Sequence, residues 1–343
     1  MSSNTLNTLH NSRQTLDSEK PTSFLDGSVQ ESESFGAIRS TPVGVSEKSL
    51  SQAELNEAYR YCRDVSAKHA KTFYFATHFL PQSKRTSVFA VYALCRYVDD
   101  LIDRSEDKLT LKQLTKEKII ALIDQWKADL QSCYKGEVIR NPIMLAWHDT
   151  LKTYHIPINL PLELIEGVCM DLSFKGYDTF EELYIYCYKV ASVVGLMTSE
   201  IFGYRDKAAL EHAIELGIAM QLTNILRDVG EDAEKGRIYI PKEDLRRFGY
   251  TESELMRGVI NDQFIALMKF EIERARQFYQ MADKGIHLLS KDSQTAVALS
   301  RINYGKILNT IERNHYDVFN KRAYVSFLGK LMPIPGLWFK SKF

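Results

Sequence analysis

Several features are scarce in this 343-residue sequence, and each absence excludes a class of protein. No run of 18 or more apolar residues occurs, so a membrane-spanning helix is not expected. The five cysteines are dispersed and lack CxxC spacing, which excludes a disulfide scaffold and predicts reduced core thiols. Basic and acidic residues balance at 44 each, which argues against a polyanion-binding surface and therefore against a nucleic-acid partner.

The first 48 residues are poor in large apolar side chains, lack helical periodicity, and are rich in Ser, Thr and Asn. This composition predicts a disordered N-terminal extension over residues 1–48. The segment has no apolar stretch suited to a secretory signal, and its acidic residues disfavour a transit peptide. We therefore expect a cytoplasmic protein whose catalytic domain spans residues 49–343.

The rest of the sequence has the pattern of successive helices. Ser51 and Glu54 have the spacing of an N-terminal cap, and apolar residues then recur three and four apart. Asp178 to Glu181 resembles a cap for the helix that carries Tyr184, Tyr186 and Tyr188. Strands and helices do not alternate, so the predicted fold is a single all-α domain.

Two acidic motifs about 130 residues apart carry the chemistry. YALCRYVDDLID ends at Asp103 and QLTNILRDVGED ends at Asp232, and each contains DxxxD. On a helix, Asp99 and Asp103 share one face, as do Asp228 and Asp232, so two antiparallel helices could direct four carboxylates into one space. Four such carboxylates need cations, and Mg²⁺ commonly binds through carboxylates together with substrate phosphates.

Polar residues extend both stripes along otherwise apolar helices. Tyr92 and Arg96 precede Asp99 on its face, and Gln221 and Asn224 precede Asp228. A single DxxxD is most often an exposed acidic patch. Two of them, both embedded in apolar sequence, favour a metal–diphosphate site instead.

These motifs resemble those of the head-to-head trans-isoprenyl diphosphate synthases, which include phytoene, squalene and dehydrosqualene synthases. Further similar blocks are AKTFYFATHFLP at 70–81, the segment 170–197 and IERNHYDVFNKRAYV at 311–325. The last two are more similar to phytoene synthases than to eukaryotic squalene synthases. The resemblance begins near residue 52 and implies an isoprenoid synthase-type helical bundle around a central cavity.

Such an enzyme must stabilise a departing diphosphate. Mg²⁺, or Mn²⁺ in its place, held by the four aspartates and Glu231 would act as Lewis acid and template. Arg96, Arg227, Lys71 and Thr72 are candidates for bonds to phosphate oxygens, although each arginine could instead pair with a neighbouring aspartate. Gly230, Gly236 and the charges between them predict a loop over 229–241 that brings Arg237 and Tyr239 over the phosphates.

The allylic cation requires apolar walls and aromatic faces. Tyr74, Tyr92, Tyr186 and Tyr304 resemble the family's cavity-lining tyrosines, whereas Phe73, Phe89 and Tyr188 are assigned to core packing. Gln221 and Asn224 are expected to bond metal-bound water, phosphate or tyrosine hydroxyls on the cavity wall. The remaining candidates for the cavity wall are small or smooth side chains: Val190, Val194, Gly195 and Thr77.

The resemblance implies a transferase that condenses two geranylgeranyl diphosphates through prephytoene diphosphate to phytoene, a step of carotenoid biosynthesis, without a nicotinamide. Two alternatives stay open: a squalene or dehydrosqualene synthase that uses farnesyl diphosphate, and a non-catalytic lipid-binding or assembly relative. Residues 320–343 mix basic and apolar side chains, which predicts peripheral attachment to a membrane surface, with docking of this segment on the protein's own core as the open alternative. Contact with other carotenoid-pathway enzymes also stays open.

Overall fold

A computed structural model describes residues 50–106 and 115–335, with the side chains of 103–106 excepted. Apart from one isolated bridge between Tyr204 and Leu289, the regular structure of these two ranges is helical. The all-α prediction is therefore confirmed. The predicted disorder of residues 1–48 concerns a segment outside the described residues. The α-helices are α1 (Gln52–His69), α2 (Lys71–Thr77), α3 (Gln82–Glu106), α4 (Lys116–Tyr134), α5 (Pro142–Thr153), α6 (Asn159–Val168), α7 (Phe180–Cys187), α8 (Val193–Phe202), α9 (Ala208–Glu234), α10 (Lys242–Arg247), α11 (Glu252–Met256), α12 (Asp262–Asp283), α13 (Lys291–Arg313) and α14 (Phe327–Leu331).

Side-chain caps fix where several helices begin. The Ser51 hydroxyl accepts the Glu54 amide and the Glu54 carboxylate accepts the Ser51 amide, so the predicted capping box at α1 is present. At α7 the prediction is displaced by one residue. Thr179 is the cap and accepts the Glu182 amide, while the Glu182 carboxylate accepts the amide of Asp178.

The two motif helices are largely buried. The first motif lies on α3, in a core cluster with α1, α5, α6 and α8. The second lies on α9, in a cluster with α7 and α12, and α9 packs most extensively on α12. Four of the five cysteines are buried, and burial raises the pKa of the Cys95 thiol well above its ordinary value. Cys95 is therefore a core residue rather than a reactive thiolate.

Helices α7 and α8 form one continuous rod through a π-helical turn at Tyr188–Ser192. The rod from Phe180 to Phe202 is long and apolar enough to cross a membrane by length and composition, but 72% of its most apolar window is buried inside the protein. This burial is typical of a core helix. The extra residue of a π turn rotates α8 relative to the course of an unbroken α-helix, and so it sets which side chains of α8 face the interior.

Two glycines of α9 allow close approach of other segments. A Cβ on Gly217 would lie 2.5 Å from backbone atoms of Ser192, and one on Gly230 would lie 2.6 Å from the Val318 carbonyl oxygen. The prediction of a loop beginning at 229 is therefore wrong at its start. Gly230 serves helix packing, and α9 continues to Glu234 before Gly236, at φ +75°, ends it.

A buried ion cluster joins α10 to α12. The Arg274 guanidinium donates to Asp244 at 2.8 Å and to both Glu271 oxygens at 2.8 and 2.9 Å. Its guanidinium carbon also lies 4.0 Å from the centre of the Phe180 ring. Burial raises the pKa of Glu271 to about 8, against the opposing effect of Arg274. The cluster thus holds α7, α10 and α12 together.

Candidate active site

The described side chains of the first motif form a polar group on α3. Arg96 pairs with Asp100 at 2.5 Å, one turn along the same helix. The Arg96 charge also lowers the pKa of His69, although burial is the larger cause and the resulting value is about 4. His69, at the end of α1, was not among the predicted site residues. The side chain of Asp103 lies outside the described part, so its place beside Asp99 stays a prediction.

Tyr92 begins the stripe on α3 and is almost fully buried. Its hydroxyl has no hydrogen-bond partner among the described residues. Burial raises its pKa well above the ordinary value, and the charges of Asp99 and Tyr304 act in the same direction. Tyr92, Tyr304 and Asp99 are therefore close enough to interact, as the predicted stripe requires.

The second motif surrounds Asp228 with two arginines. Arg227 donates to both Asp228 oxygens at 2.9 and 2.5 Å, and Arg322 donates to Asp228 at 2.9 Å. Arg322 also reaches Glu231 at 2.9 Å. It lies in the non-helical segment before α14 and was not predicted. It belongs to the IERNHYDVFNKRAYV block, but nothing in its local spacing points to Asp228.

Asp232 and Glu231 carry the electrostatic signature of a site built for positive charge. Burial, followed by the negative charge of Asp228, raises the pKa of Asp232 to about 8. The same two causes raise the pKa of Glu231. Arg227 and Arg322 do not fully offset the negative charge of the three neighbouring acids. A bound cation, or a proton on one of the carboxyl groups, would neutralise the remaining charge.

Asp171 links the second motif to the tyrosines. It lies in the short 3₁₀ turn Cys169–Ser173, accepting the hydroxyl of Tyr186 at 3.2 Å and that of Tyr239 at 2.9 Å. Arg237 donates to its backbone carbonyl at 3.0 Å. The predicted residues Tyr186, Arg237 and Tyr239 are thus brought together by an aspartate that sequence reasoning missed. The only sequence signal for Asp171 was its place as an acid within the family-like segment 170–197.

The remaining polar candidates occupy different environments. Asn224 donates to the Gln221 side-chain oxygen at 3.2 Å, while its own side-chain oxygen is buried and unpartnered among the described residues. Thr72 is buried at the start of α2, whereas the neighbouring Lys71 is exposed. The structure therefore leaves the predicted phosphate contact of Lys71 as a prediction, as it does closure of the segment after Glu234.

An apolar cavity lies beside the two motifs. It is bounded by α2, α8, α9, α12 and α13. On α9 it is lined by Ala209, Ala213, Gly217 and Met220, and Met220 directly precedes the first polar residue of the second motif. Phe73 lines it from α2 and stacks on Tyr92 with ring centres 5.7 Å apart. The cavity wall therefore meets the first residue of each motif, through Met220 beside Gln221 and through Phe73 stacked on Tyr92.

Three hydroxyl-bearing residues of the cavity wall bond to their own helices. Thr77 donates to the Tyr74 carbonyl at 2.7 Å, Thr198 to the Val194 carbonyl at 2.9 Å and Ser199 to the Gly195 carbonyl at 2.8 Å. Thr77 thus lines the cavity and bonds its own backbone at once, two roles that the sequence had posed as alternatives. The wall is apolar in chemistry even where its residue types are polar.

Four predictions about cavity residues have clear outcomes. Val194 and Gly195 line the cavity as expected. Val190 is fully buried in the core cluster of α7, α9 and α12 and is not part of this lining. Phe73 packs against the core cluster as predicted, and it also lines the cavity, which the sequence analysis did not predict. Tyr74 stacks on Phe89 with ring centres 5.6 Å apart.

The side chains present suit a hard divalent cation shared with a ligand. Among the described side chains, no three acidic, histidine or cysteine groups are arranged to enclose a metal. Magnesium, however, is usually held by one or two carboxylates and completed by substrate phosphates and water. The raised pKa of Asp232 and the all-oxygen donors Asp228, Glu231 and Asp232 fit that mode of binding.

Comparison with known proteins places this geometry in a family. The squalene/phytoene synthase family profile matches residues 66–329. The 15-cis-phytoene synthase of Synechocystis is 42% identical over 302 residues, 84% of this chain and 87% of the relative. The chloroplastic phytoene synthase of Daucus carota is 40% identical over 318 residues, 91% of this chain and 76% of the relative.

The chain belongs to the squalene/phytoene synthase family. Among solved structures, that of a dehydrosqualene synthase in complex with ligand matches with a TM-score of 0.77 and 33% identity, over 84% of this chain and 98% of that one. The helical bundle is therefore the all-α isoprenoid synthase fold. The two DxxxD motifs and the further similar blocks are the features by which this family was predicted from the sequence.

Proposed function

We propose that this protein is a prenyltransferase that condenses two geranylgeranyl diphosphates head-to-head, through prephytoene diphosphate, to phytoene, with release of two diphosphates. The observation that carries the proposal is the layout of α9. Its N-terminal half lines the apolar cavity from Ala209 to Met220, and its C-terminal half presents Asp228 to Asp232. At 1.5 Å per residue, roughly 28 Å separate Ala209 from Asp228, enough for a long hydrocarbon tail behind a diphosphate.

The polar end would hold the diphosphate and stabilise its departure. Arg227 and Arg322 converge on Asp228, so their guanidinium groups lie where a phosphate anion would approach the carboxylates. Mg²⁺, with Mn²⁺ as an alternative, would be held by Asp99, Asp103, Asp228 and Asp232 with Glu231, and would supply Lewis-acid stabilisation of the leaving group. No nicotinamide is required for a product formed by proton loss.

The aromatic residues between the two ends would stabilise the cation. Tyr92 and Phe73 stack at the border between cavity and motif, and Tyr186 lies 5.3 Å from Tyr239 in the group around Asp171. Their ring faces attract positive charge. Two sets of polar groups could accept or relay a proton. One is the buried Tyr92 hydroxyl, and the other is Asp171 with the hydroxyls of Tyr186 and Tyr239 that donate to it.

One incubation tests the proposal. Purified protein is given geranylgeranyl diphosphate and Mg²⁺ without a nicotinamide, and the hydrocarbon is identified by chromatography and mass spectrometry. Phytoene is expected, and chelation of Mg²⁺ should abolish its formation. If no C40 product forms while farnesyl diphosphate yields a C30 hydrocarbon, the substrate assignment is wrong.

The specific rival is a dehydrosqualene synthase, favoured by the solved structure of that name. It would share the aspartates and differ in the length of chain that the cavity accepts. Thr77 is a direct probe, because it lines the cavity and is 2% exposed. Thr77→Phe should lower turnover of the C20 substrate relative to the C15 substrate by roughly tenfold. Thr77→Val, of similar volume, is the control, and an unchanged ratio in Thr77→Phe would remove Thr77 from this role.

We also propose that the enzyme works in the cytoplasm at a membrane surface. A C40 hydrocarbon has very low solubility in water, because each buried CH₂ group favours an apolar environment by roughly 0.8 kcal/mol. Product therefore has to pass into lipid or directly to another carotenoid-pathway enzyme. Separation of membranes from cytosol, before and after a high-salt wash, tests whether the protein is peripherally attached.

A further inference from the structure

The most exposed apolar side chains of the described protein cluster around its last helix. Tyr324, Phe327, Leu328 and Met332 are 67–75% exposed. Elsewhere in the described ranges, no large apolar residue exceeds the 45% exposure of Met256. Single exposed apolar residues are ordinary, but four within nine positions mark a surface that meets an apolar partner.

Polar groups of α13 hold α14 in place. Lys306 donates to the Gly329 carbonyl at 2.5 Å, and the fully buried Asn303 amide donates to the Lys330 carbonyl at 3.4 Å. A surface helix ordinarily buries its apolar face and exposes its polar one. Here the hydrogen bonds to α13 are accepted by backbone carbonyls of α14, while the side chains of Leu328 and Met332 are 74% and 75% exposed. The helix is thus anchored with its apolar side presented to the surroundings.

Charge identifies the partner that this surface fits. From Asn320 to Phe343 the sequence contains five basic residues and no acidic one, although the whole chain is neutral. Arg322 is paired with Asp228 and Glu231, whereas the Lys321 side chain is 60% exposed, with Asp317 3.9 Å from its ammonium group. Basic and apolar groups side by side suit the anionic headgroup and acyl boundary of a bilayer. A second copy would instead bring two basic segments together, which costs free energy through like-charge repulsion.

The surface also lies beside the wall of the cavity. The Phe327 ring packs edge-on against Phe75 of α2, with ring centres 6.2 Å apart. On the same helix, Phe73, Ala76 and Thr77 line the cavity. A bilayer at this surface would therefore lie one helix away from the space assigned to the hydrocarbon chains.

We propose that Phe75, Tyr324, Phe327, Leu328 and Met332 form a membrane-insertion face that docks on anionic bilayers and sets the cavity wall next to the acyl region. The inference rests on the proposed function in taking the substrate and product to be lipids. It deepens that proposal by naming the face and the lipid charge. The face consists of described residues alone and includes none after residue 335.

The test uses the full chain and two matched pairs of substitutions. Leu328→Glu with Met332→Glu alters the face, while Leu122→Glu with Met256→Glu makes the same changes at exposed positions on α4 and α11. Co-sedimentation is measured with phosphatidylcholine vesicles with and without phosphatidylglycerol. The wild type should bind the anionic vesicles more tightly and lose binding in high salt. The face variant should bind them roughly ten- to a hundredfold more weakly, and the control pair should bind like the wild type.

Folding and association state are measured on the same samples. Circular dichroism checks the fold, and Leu328→Gln with Met332→Gln replaces the acidic pair if that pair does not fold. Undiminished vesicle binding by the face variant, or an equal loss in the control pair, overturns the proposal. So does a changed oligomeric state with unchanged vesicle binding, which would make the face a contact between copies.

Turnover in detergent should be equal in all variants. A wild type that makes no phytoene in detergent contradicts the proposed function without affecting the vesicle result.

Discussion

Two acidic clusters flank the turn that follows α9, and they differ in how their charge is balanced. In the buried cluster, Arg274 bridges Asp244 and Glu271, which are both 2% exposed, and it stacks on Phe180. In the second motif, Asp228 is partly exposed, is paired by arginines from two separate segments, and has two further acids within one turn of helix.

The difference separates a structural ion cluster from a binding site. Desolvated charges joined by one well-packed arginine fix the relative positions of helices, and removal of one partner leaves an unpaired buried charge. Partly exposed acids retain capacity for a ligand of opposite charge, whereas a raised pKa occurs in both clusters, at Glu271 and at Asp232. Acid count alone does not distinguish the clusters. Burial, aromatic stacking and access to the cavity do.

The largest expected effect is on activity. Asp99→Ala or Asp228→Ala should lower kcat/KM by roughly 10³-fold or more, because each removes charge stabilisation of the departing diphosphate. The helical circular dichroism spectrum should be unchanged in both variants, although Asp228→Ala also removes the partner of the buried Arg227. Near-normal turnover in either purified variant would contradict the role assigned to that aspartate.

A pair of arginine substitutions sharpens the comparison through stability. Arg274→Met should lower the free energy of unfolding by about 3–5 kcal/mol, since it leaves two buried carboxylates without their partner. Arg322→Met should cost less than about 1 kcal/mol, because its pairs are partly exposed, yet it should reduce turnover. Chemical denaturation and steady-state kinetics measure both. Equal loss of stability in the two variants would mean that the second motif is also a structural cluster.

The raised pKa of Asp232 predicts a pH-dependent effect on stability. Its folded-state pKa of about 8 exceeds the ordinary value of 3.8, so ionisation of this group opposes folding increasingly as the pH rises between those values. Without Mg²⁺, Asp232→Asn should therefore stabilise the protein, by a margin that grows by about 1.4 kcal/mol per pH unit between pH 5 and pH 7. Thermal unfolding at both pH values measures it. A gain that does not grow with pH would show that the Asp232 carboxyl is not strained by its surroundings.

The smallest expected effect is at Glu231, whose side chain is 43% exposed and paired with Arg322. Glu231→Gln should change the free energy of unfolding by less than about 0.5 kcal/mol and lower kcat/KM by less than tenfold. Magnesium titration of activity measures its share of metal binding. If Glu231→Gln lowers kcat/KM as much as Asp228→Ala does, Glu231 is a principal ligand of the metal.

Much of the fold was predictable because its signals are local. Apolar spacing and the capping pair Ser51 and Glu54 predict α1 from a few neighbouring residues, and the DxxxD stripes define faces of α3 and α9. The predicted end of α9 was wrong, since Gly230 has the sequence of a breaker but is explained by the Val318 backbone that packs on it. That segment is nearly 90 residues away in the chain.

The missed site residues share the same cause. Asp171 lies in a 3₁₀ turn without periodicity, and Arg322 lies in a non-helical segment, so neither belongs to a stripe that would reveal its face. Their partners come from distant parts of the chain: Tyr239 for Asp171 and Asp228 for Arg322. The cavity-lining role of Phe73 was missed because a short aromatic run does not say which ring borders a cavity.

The hydroxyls of Thr77, Thr198 and Ser199 donate to backbone carbonyls of their own helices. In the proposed reaction this matters for the fate of the carbocation. Each of these hydrogen bonds holds the hydroxyl oxygen against the backbone of its own helix, set back from the middle of the cavity, so the oxygen is less able to reach an electrophile passing along the wall. These residues thus let the wall be slightly polar in composition without quenching the intermediate to an ether. Substitution by a side chain with a lone pair directed into the cavity would open that side reaction, and covalent adducts or alcohol by-products would be its trace.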